Sequence, residues 1–187
     1  MISQKSDTAL LVMDMQEALL AGLPGSDQLF PQIAAAIKHA RETGIPVIYC
    51  VAAFRKGYPE IHPDHKSFRT LPSRLPDAVI EQMMKIVPPL APANEEVVVV
   101  KKRYSAFTGS DLEVVLRSNG IRHLVLAGVI TSGVVLSTLT EAADKDYRLT
   151  VLSDGCMDRD QEVHQILVER VFPKVADVCT CEEWTKK

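Results

Sequence analysis

Several functional classes are ruled out by what the chain has little of. No apolar run in its 187 residues approaches the ~20 needed to cross a bilayer as a helix, which argues against a membrane-spanning protein. Charge is nearly balanced, with a formal net of -3, so there is no electrostatic case for nucleic acid or an anionic membrane surface as partner. The four cysteines, Cys50, Cys156, Cys179 and Cys181, form no CxxC pair and have no cluster of further ligands nearby in sequence. They read as small buried hydrophobes in a reducing compartment. No Gly-rich fingerprint follows the first strand, which argues against NAD binding, and no GxSxG elbow marks a serine hydrolase. There is no internal repeat and no low-complexity segment. The amino end lacks the arrangement of a signal peptide, because the apolar run after Asp7 is short and leads into Asp14. A cytoplasmic protein of one domain, residues 1–187, is the expectation.

What is present is an alternation of strand and helix patterns. Thr8–Met13, Pro46–Ala53, Glu96–Val100, His123–Ala127, Arg148–Gly155 and Val175–Thr180 read as six strands. The first is an unbroken apolar run, as in a strand buried on both faces. Ser26 is placed to cap a helix that runs to about Glu42, with Phe30, Ile33, Ala34, Ile37 and Ala40 on its buried face and Gly44 as its stop. Ser110-Asp111-Leu112-Glu113 has the form of a capping box, and its helix stops at Asn119-Gly120. Asp77 to Lys85 suggests a short helix with Ala78, Val79, Met83 and Met84 facing in. A helix after Thr131 turns Val135, Leu139, Ala142 and Ala143 inward, and another spans Asp160 to Phe172 with His164 on its surface or at a cap. Right-handed crossovers between such units produce a three-layer α/β/α fold around a parallel sheet. Phe54 to Leu75 is polar, broken by three prolines, and reads as a long loop over the crevice at the strand ends.

Three stretches carry chemistry. The first strand ends in Asp14-Met15-Gln16, where a carboxylate either points into the crevice or shapes the turn. The third is followed by Lys101-Lys102-Arg103-Tyr104-Ser105-Ala106-Phe107. A lysine leaving a buried strand can enter the crevice and pair with Asp14, or a Lys-Lys-Arg run can be a solvated turn. The fourth passes through Gly128-Val129-Ile130-Thr131-Ser132-Gly133-Val134-Val135 into a helix, whose amino end favours negative charge.

These stretches resemble the isochorismatase-like hydrolase superfamily, also called cysteine hydrolases, from about Asp7 to Asp154. Its members carry strand-Asp-x-Gln, then Lys-x-Arg-Tyr-Ser-Ala-Phe, then Gly-Val-x-Thr-Asn-x-Cys-Val. The resemblance implies a six-stranded parallel sheet in the order 3-2-1-4-5-6, Asp14 as acid/base, Lys101 rather than Lys102 as the catalytic lysine, and Val134 where the family has its nucleophilic cysteine. It also implies a cis peptide between Ile130 and Thr131, and an Asp154 that supports structure. Gln16, Phe54, Tyr104, Phe107, Ile130, Thr131, Ser132 and Gly133 flank these positions and form the candidate substrate-binding set.

No cofactor is expected. Related nicotinamidases hold a metal through Asp-x-His after the second strand. Ala53-Phe54-Arg55 stands there instead, so His62, Asp64 and His65 read as solvated and no metal is expected. Arg55, Lys56 and Arg69 are candidates for attracting an acidic substrate. Cys156 reads as a packed thiol and not a displaced nucleophile.

Val134 cannot attack a substrate, which leaves three readings. One is hydrolysis of an enol ether or C–N bond in a small molecule without a protein nucleophile, with Asp14 as acid or as activator of water. The second is a catalytically silent protein that binds a small ligand. The third is a substitute nucleophile, Ser132 or Ser137, which lacks a histidine partner in the sequence. Retention of Asp14 and Lys101 favours the enzyme. The family resemblance also implies a homodimer or higher homo-oligomer, formed through helices and the Phe54–Leu75 loop.

Overall fold

A computed structural model describes residues 6–76 and 80–186 of the chain. Its six strands are β1 (Thr8–Met13), β2 (Val47–Ala52), β3 (Val97–Lys101), β4 (His123–Val129), β5 (Arg148–Met157) and β6 (Asp177–Cys179). All pair in parallel, in the spatial order β3-β2-β1-β4-β5-β6. This is the expected three-layer α/β/α architecture, with its switch point between β1 and β4. The helices are α1 (Glu17–Leu20), α2 (Phe30–Thr43), α3 (Leu71–Arg74), α4 (Ile80–Met83), α5 (Leu112–Ser118), α6 (Leu136–Asp144), α7 (Gln161–Ile166) and α8 (Cys181–Thr185). A wide π-type turn, Thr131–Val135, leads from β4 into α6, and a second, Leu167–Val171, extends α7.

The continuous apolar reading of β1 has a direct structural cause. Side chains alternate across a strand, so a run apolar at every position faces two cores. Ala9, Leu11 and Met13 join one core with Leu112, Leu116, Leu139 and Ala142 of α5 and α6. Leu10 and Val12 join the other with Ile33, Ala36, Ile37 and Ala40 of α2 and Trp184 of α8. Burying each isoleucine of α2 contributes about 1.5–3 kcal/mol. A smaller cluster of Phe54, Tyr58 and Met83, joined by Leu71 and Leu75, fastens the Phe54–Leu75 segment over the strand ends.

Several local expectations shift. Ser26 does not cap α2. It is buried and opens a 3-10 turn, Ser26–Leu29, while α2 starts at Phe30 with Pro31 in its first turn, where a missing N–H costs nothing. Asp111 precedes α5 without a side-chain cap bond. The Ser110 hydroxyl accepts from the Leu112 N–H at 3.2 Å, and Glu113 is drawn away to Lys145 at 2.7 Å, so the capping box does not close. Of the Asp77–Lys85 helix, Ala78 and Val79 lie outside the described residues. Met83 is buried, whereas Met84 is 42% exposed and not inward-facing. Asp154 has the structural role expected of it, its Oδ1 accepting the Cys181 N–H at 2.7 Å.

At Gly128 the backbones of β4 and β1 approach closely. Its φ of 137° is disfavoured for other residues, and a Cβ there would lie 2.0 Å from the Met13 carbonyl oxygen. Because Met13 and Gly128 are register partners, this contact sets how near the end of β1 comes to the turn after β4. Gly128→Ala is therefore expected to cost at least ~2 kcal/mol, or a fall of about 4–8 °C in Tm. Gly44, with φ 72° and nothing near its added Cβ, is the comparison, and Gly44→Ala should cost only ~1 kcal/mol. Equal Tm values for the two variants in thermal circular dichroism would contradict the steric argument.

Candidate active site

Asp14 leaves β1 in the left-handed region, with φ 57°, a conformation that costs a non-glycine residue about 1–3 kcal/mol and that clusters at functional sites. Its N–H donates to the Cys50 carbonyl at 2.8 Å, fixing the turn against the neighbouring β2. Lys101, the last residue of β3, reaches across the end of β2. Its Nζ lies 2.9 Å from Asp14 Oδ2 and donates to the Arg103 carbonyl at 3.1 Å. Lys102 turns away and donates to the Ala53 carbonyl at 2.7 Å. Alternation along the strand explains the difference, since consecutive side chains point to opposite faces.

Both members of the pair are buried, Lys101 to 2% exposure. Asp14 Oδ1 is also buried and has no hydrogen-bond partner among the described residues. Burial pushes the Asp14 carboxyl above its ordinary value, against the opposing charge and hydrogen bond of Lys101. Between the unfolded value of 3.8 and the raised folded value, the folded state keeps a proton that the unfolded chain releases. Asp14 thus favours folding at low pH, and that contribution is lost as pH rises through the folded value.

Asp14 and Lys101 line a cavity of about 150 Å³. Of the residues expected at the site, Val134, Phe54, Tyr104, Ile130 and Gly133 also line it. Four others do not. Gln16 is fully buried in the framework, where its side chain accepts from the Ala52 N–H at 2.7 Å and donates to the Ala52 carbonyl at 2.9 Å and to the Met83 carbonyl. It extends the hydrogen bonding of β2 and ties in α4. Phe107 packs into the core against Tyr147, with ring centroids 6.0 Å apart. Thr131 is wholly buried, its Oγ1 2.8 Å from His164 Nδ1. Ser132 is exposed, and its N–H donates to Asp158 Oδ2 at 2.6 Å. Arg55, Lys56 and Arg69 are exposed and stand outside the cavity, and Arg55 pairs with Glu60 at 2.7 Å.

Sequence reasoning missed the remaining walls. Phe68, Leu71 and Leu75 come from the long loop and α3, Met83 from α4, Leu19 from α1, and Arg103 and Arg159 from the ends of β3 and β5. Arg103 lay inside a motif already singled out, whereas nothing local marked Arg159. His164 is half-buried and holds Thr131, a role that its position on a helix surface did not suggest. Burial lowers its pKa from 6.5, with Asp158 opposing. The cis peptide falls at Val129–Ile130, one residue before the expected bond.

Cys50 and Cys156 are buried, and burial pushes both thiols up to about 12, so neither supplies a thiolate. Ser137 does not line the cavity. His62, Asp64 and His65 do not combine into a metal-holding group, and no other group of three or more His, Cys, Asp or Glu side chains among the described residues could do so. No helix among those residues is long and apolar enough to cross a membrane.

A parallel sheet with a buried Asp–Lys pair beside its switch point and a small, mostly apolar cavity is the arrangement of α/β proteins that bind small molecules. The comparisons narrow that class. The isochorismatase domain model matches residues 8–183. Ureidoacrylate amidohydrolase RutB of Pseudomonas syringae pv. syringae is 35% identical over 204 aligned positions, covering 93% of this chain and 83% of the relative. An isochorismatase family protein from Burkholderia thailandensis superposes with a TM-score of 0.83 at 26% identity, covering 95% of this chain and 93% of the other. A cysteine hydrolase from Pseudomonas syringae pv. phaseolicola shares the fold, with a TM-score of 0.87 at 21% identity and coverage of 96% and 91%. This chain belongs to the isochorismatase family.

Two predictions follow from the electrostatics. Lys101→Met removes both effects that hold the Asp14 carboxyl down, so its titration, read by carboxyl carbon NMR, should move to higher pH. An unchanged midpoint would show that the pair is not coupled. For His164, the folded value lies below the unfolded one. Its stabilisation is complete above 6.5 and is lost as pH falls through the folded value. His164→Gln should flatten the fall in Tm over that range, and a slope equal to wild type would assign the dependence to other groups.

Proposed function

We propose that this protein hydrolyses a small molecule without a cysteine nucleophile, using Asp14 as acid/base and Lys101 as its charge partner, with Val134 at the family's nucleophile position. The observation that carries the reading is the state of the Asp14 carboxyl. One oxygen is engaged by Lys101, while Oδ1 is buried without a partner in a residue that lines the cavity. An unpaired buried oxygen costs free energy, and a substrate donor or acceptor at that point would relieve it. Burial raises the Asp14 pKa above its ordinary value, against the opposing charge and hydrogen bond of Lys101, and an upward shift is the direction a proton donor requires.

The step balances without a covalent intermediate. Asp14 donates its proton to an enol ether, or to the leaving nitrogen of a C–N bond. Water adds to the carbon, and the proton it sheds returns to Asp14. Collapse of the adduct completes cleavage, so the net consumption is one water. Lys101 limits the charge that builds on Asp14 after donation. Val134 and Ile130 supply apolar walls, and Phe54 and Tyr104 contact the substrate body. Gln16, Thr131 and Ser132 act by holding the loops. In this reading the protein is a homo-oligomer.

The silent-binder alternative draws on a specific feature, namely that the nucleophile position and most of the cavity wall are apolar. A panel of small amides, ureides and enol ethers, including ureidoacrylate and isochorismate, separates the two by product mass spectrometry. Turnover should fall by about 10²–10⁴-fold in Asp14→Asn, the usual range for losing a general acid or base, and also fall in Lys101→Ala. No turnover across the panel by wild type, together with amidase activity gained in Val134→Cys, would overturn the enzyme reading in favour of the binder.

A further inference from the structure

We propose that the cavity takes a small organic anion, an apolar body about the size of one phenyl ring bearing a carboxylate or similar group, and that Arg103 and Arg159 form the subsite for that charge. The proposal names the ligand class of the cavity used above and concerns binding, so it stands apart from whether Asp14 performs chemistry.

The charge balance of the lining points this way. Its acidic and basic side chains are Asp14, Lys101, Arg103 and Arg159. Asp14 and Lys101 engage each other, which leaves two guanidinium groups without a carboxylate, in a chain whose overall charge is -3. Arg103 is built in. It donates to the Lys102 carbonyl at 2.6 Å and the Glu60 carbonyl at 2.7 Å, and lies 5.7 Å from the centre of the Phe68 ring. Those bonds orient the guanidinium and satisfy two of its five N–H groups, with no carboxylate bound to it among the described residues. Arg159 is exposed, and no described residue forms a hydrogen bond or ion pair with it. The two approach one cavity from the ends of β3 and β5. Cationic groups at an apolar-walled cleft focus the field on an entering anion, and guanidinium groups match carboxylates in shape.

The apolar requirement comes from the remaining lining, above all Phe68, Leu71, Leu75, Met83 and Val134. A cavity of about 150 Å³ with such walls is the size that accepts a benzene-like body.

Benzoate and benzyl alcohol, which share a ring and differ in charge, make the test, with affinities measured by calorimetry or ligand-observed NMR. Wild type is expected to bind benzoate about ten-fold or more tightly than benzyl alcohol, as a charge-assisted contact provides. Arg159→Gln should remove most of that preference and leave benzyl alcohol binding unchanged. Arg103→Lys, which keeps the charge without the planar fork, should reduce it partly. Arg69→Gln, outside the cavity, should change neither ligand. Absence of a preference in wild type, a preference that survives both Arg159→Gln and Arg103→Lys, or failure of both ligands to bind at millimolar concentration would each overturn the proposal. A protein that selects benzoate but turns over nothing would instead sink the hydrolase reading and leave the subsite standing.

Discussion

The buried ion pair between Asp14 and Lys101 is the constraint on which the site depends. The two residues end β1 and β3, which are not neighbours, so their side chains meet over the end of the strand between them. Removing two charges from water costs several kcal/mol each, and the attraction repays this only when the geometry is good. The 2.9 Å contact engages one carboxyl oxygen, and Lys101 also donates to the Arg103 carbonyl at 3.1 Å. The other oxygen is left over. A buried carboxyl oxygen without a partner costs free energy that simple packing would avoid.

The surroundings keep this pair in place. Gln16 braces the loop after Asp14 against β2 through both backbone groups of Ala52. Gly128 lets the turn after β4 pass close to Met13, which brings Val134 to the same cavity. On the far side, Asp158 and His164 secure Ser132 and Thr131. Gln16 and Thr131 are wholly buried, so water does not readily compete for the bonds their side chains make. Phe68, Leu71 and Leu75 also line the cavity, and the Phe68 ring packs tilted against Tyr104 with centroids 5.0 Å apart.

Much of this was legible in the sequence because it is local. Strands of this sheet read as apolar runs, and Asp14, Lys101 and Val134 each follow such a run within a few residues. A functional side chain at a strand end is displayed by topology alone. The residues misassigned from sequence were those whose direction depends on a distant partner. Gln16 and Phe107 lie within the same motifs, yet one is consumed by backbone hydrogen bonds and the other by the core beside Tyr147. His164 lies 33 residues from the threonine it holds, and Arg159 shares a cavity with Arg103 only because β5 and β3 end at the same side of the sheet.

By itself, the amino-acid sequence determined the alternation of buried strands and amphipathic helices, and with it a parallel sheet covered on both faces. It also placed an acid, a lysine and an apolar residue at three strand ends, because hydrophobic periodicity and strand-end position are properties of short segments. Only the tertiary structure decided which carboxylate oxygen is engaged, which cations line the cavity, and how the long loop closes over it. Those depend on side chains from five or more segments meeting within a few ångströms, and no spacing along the chain encodes that.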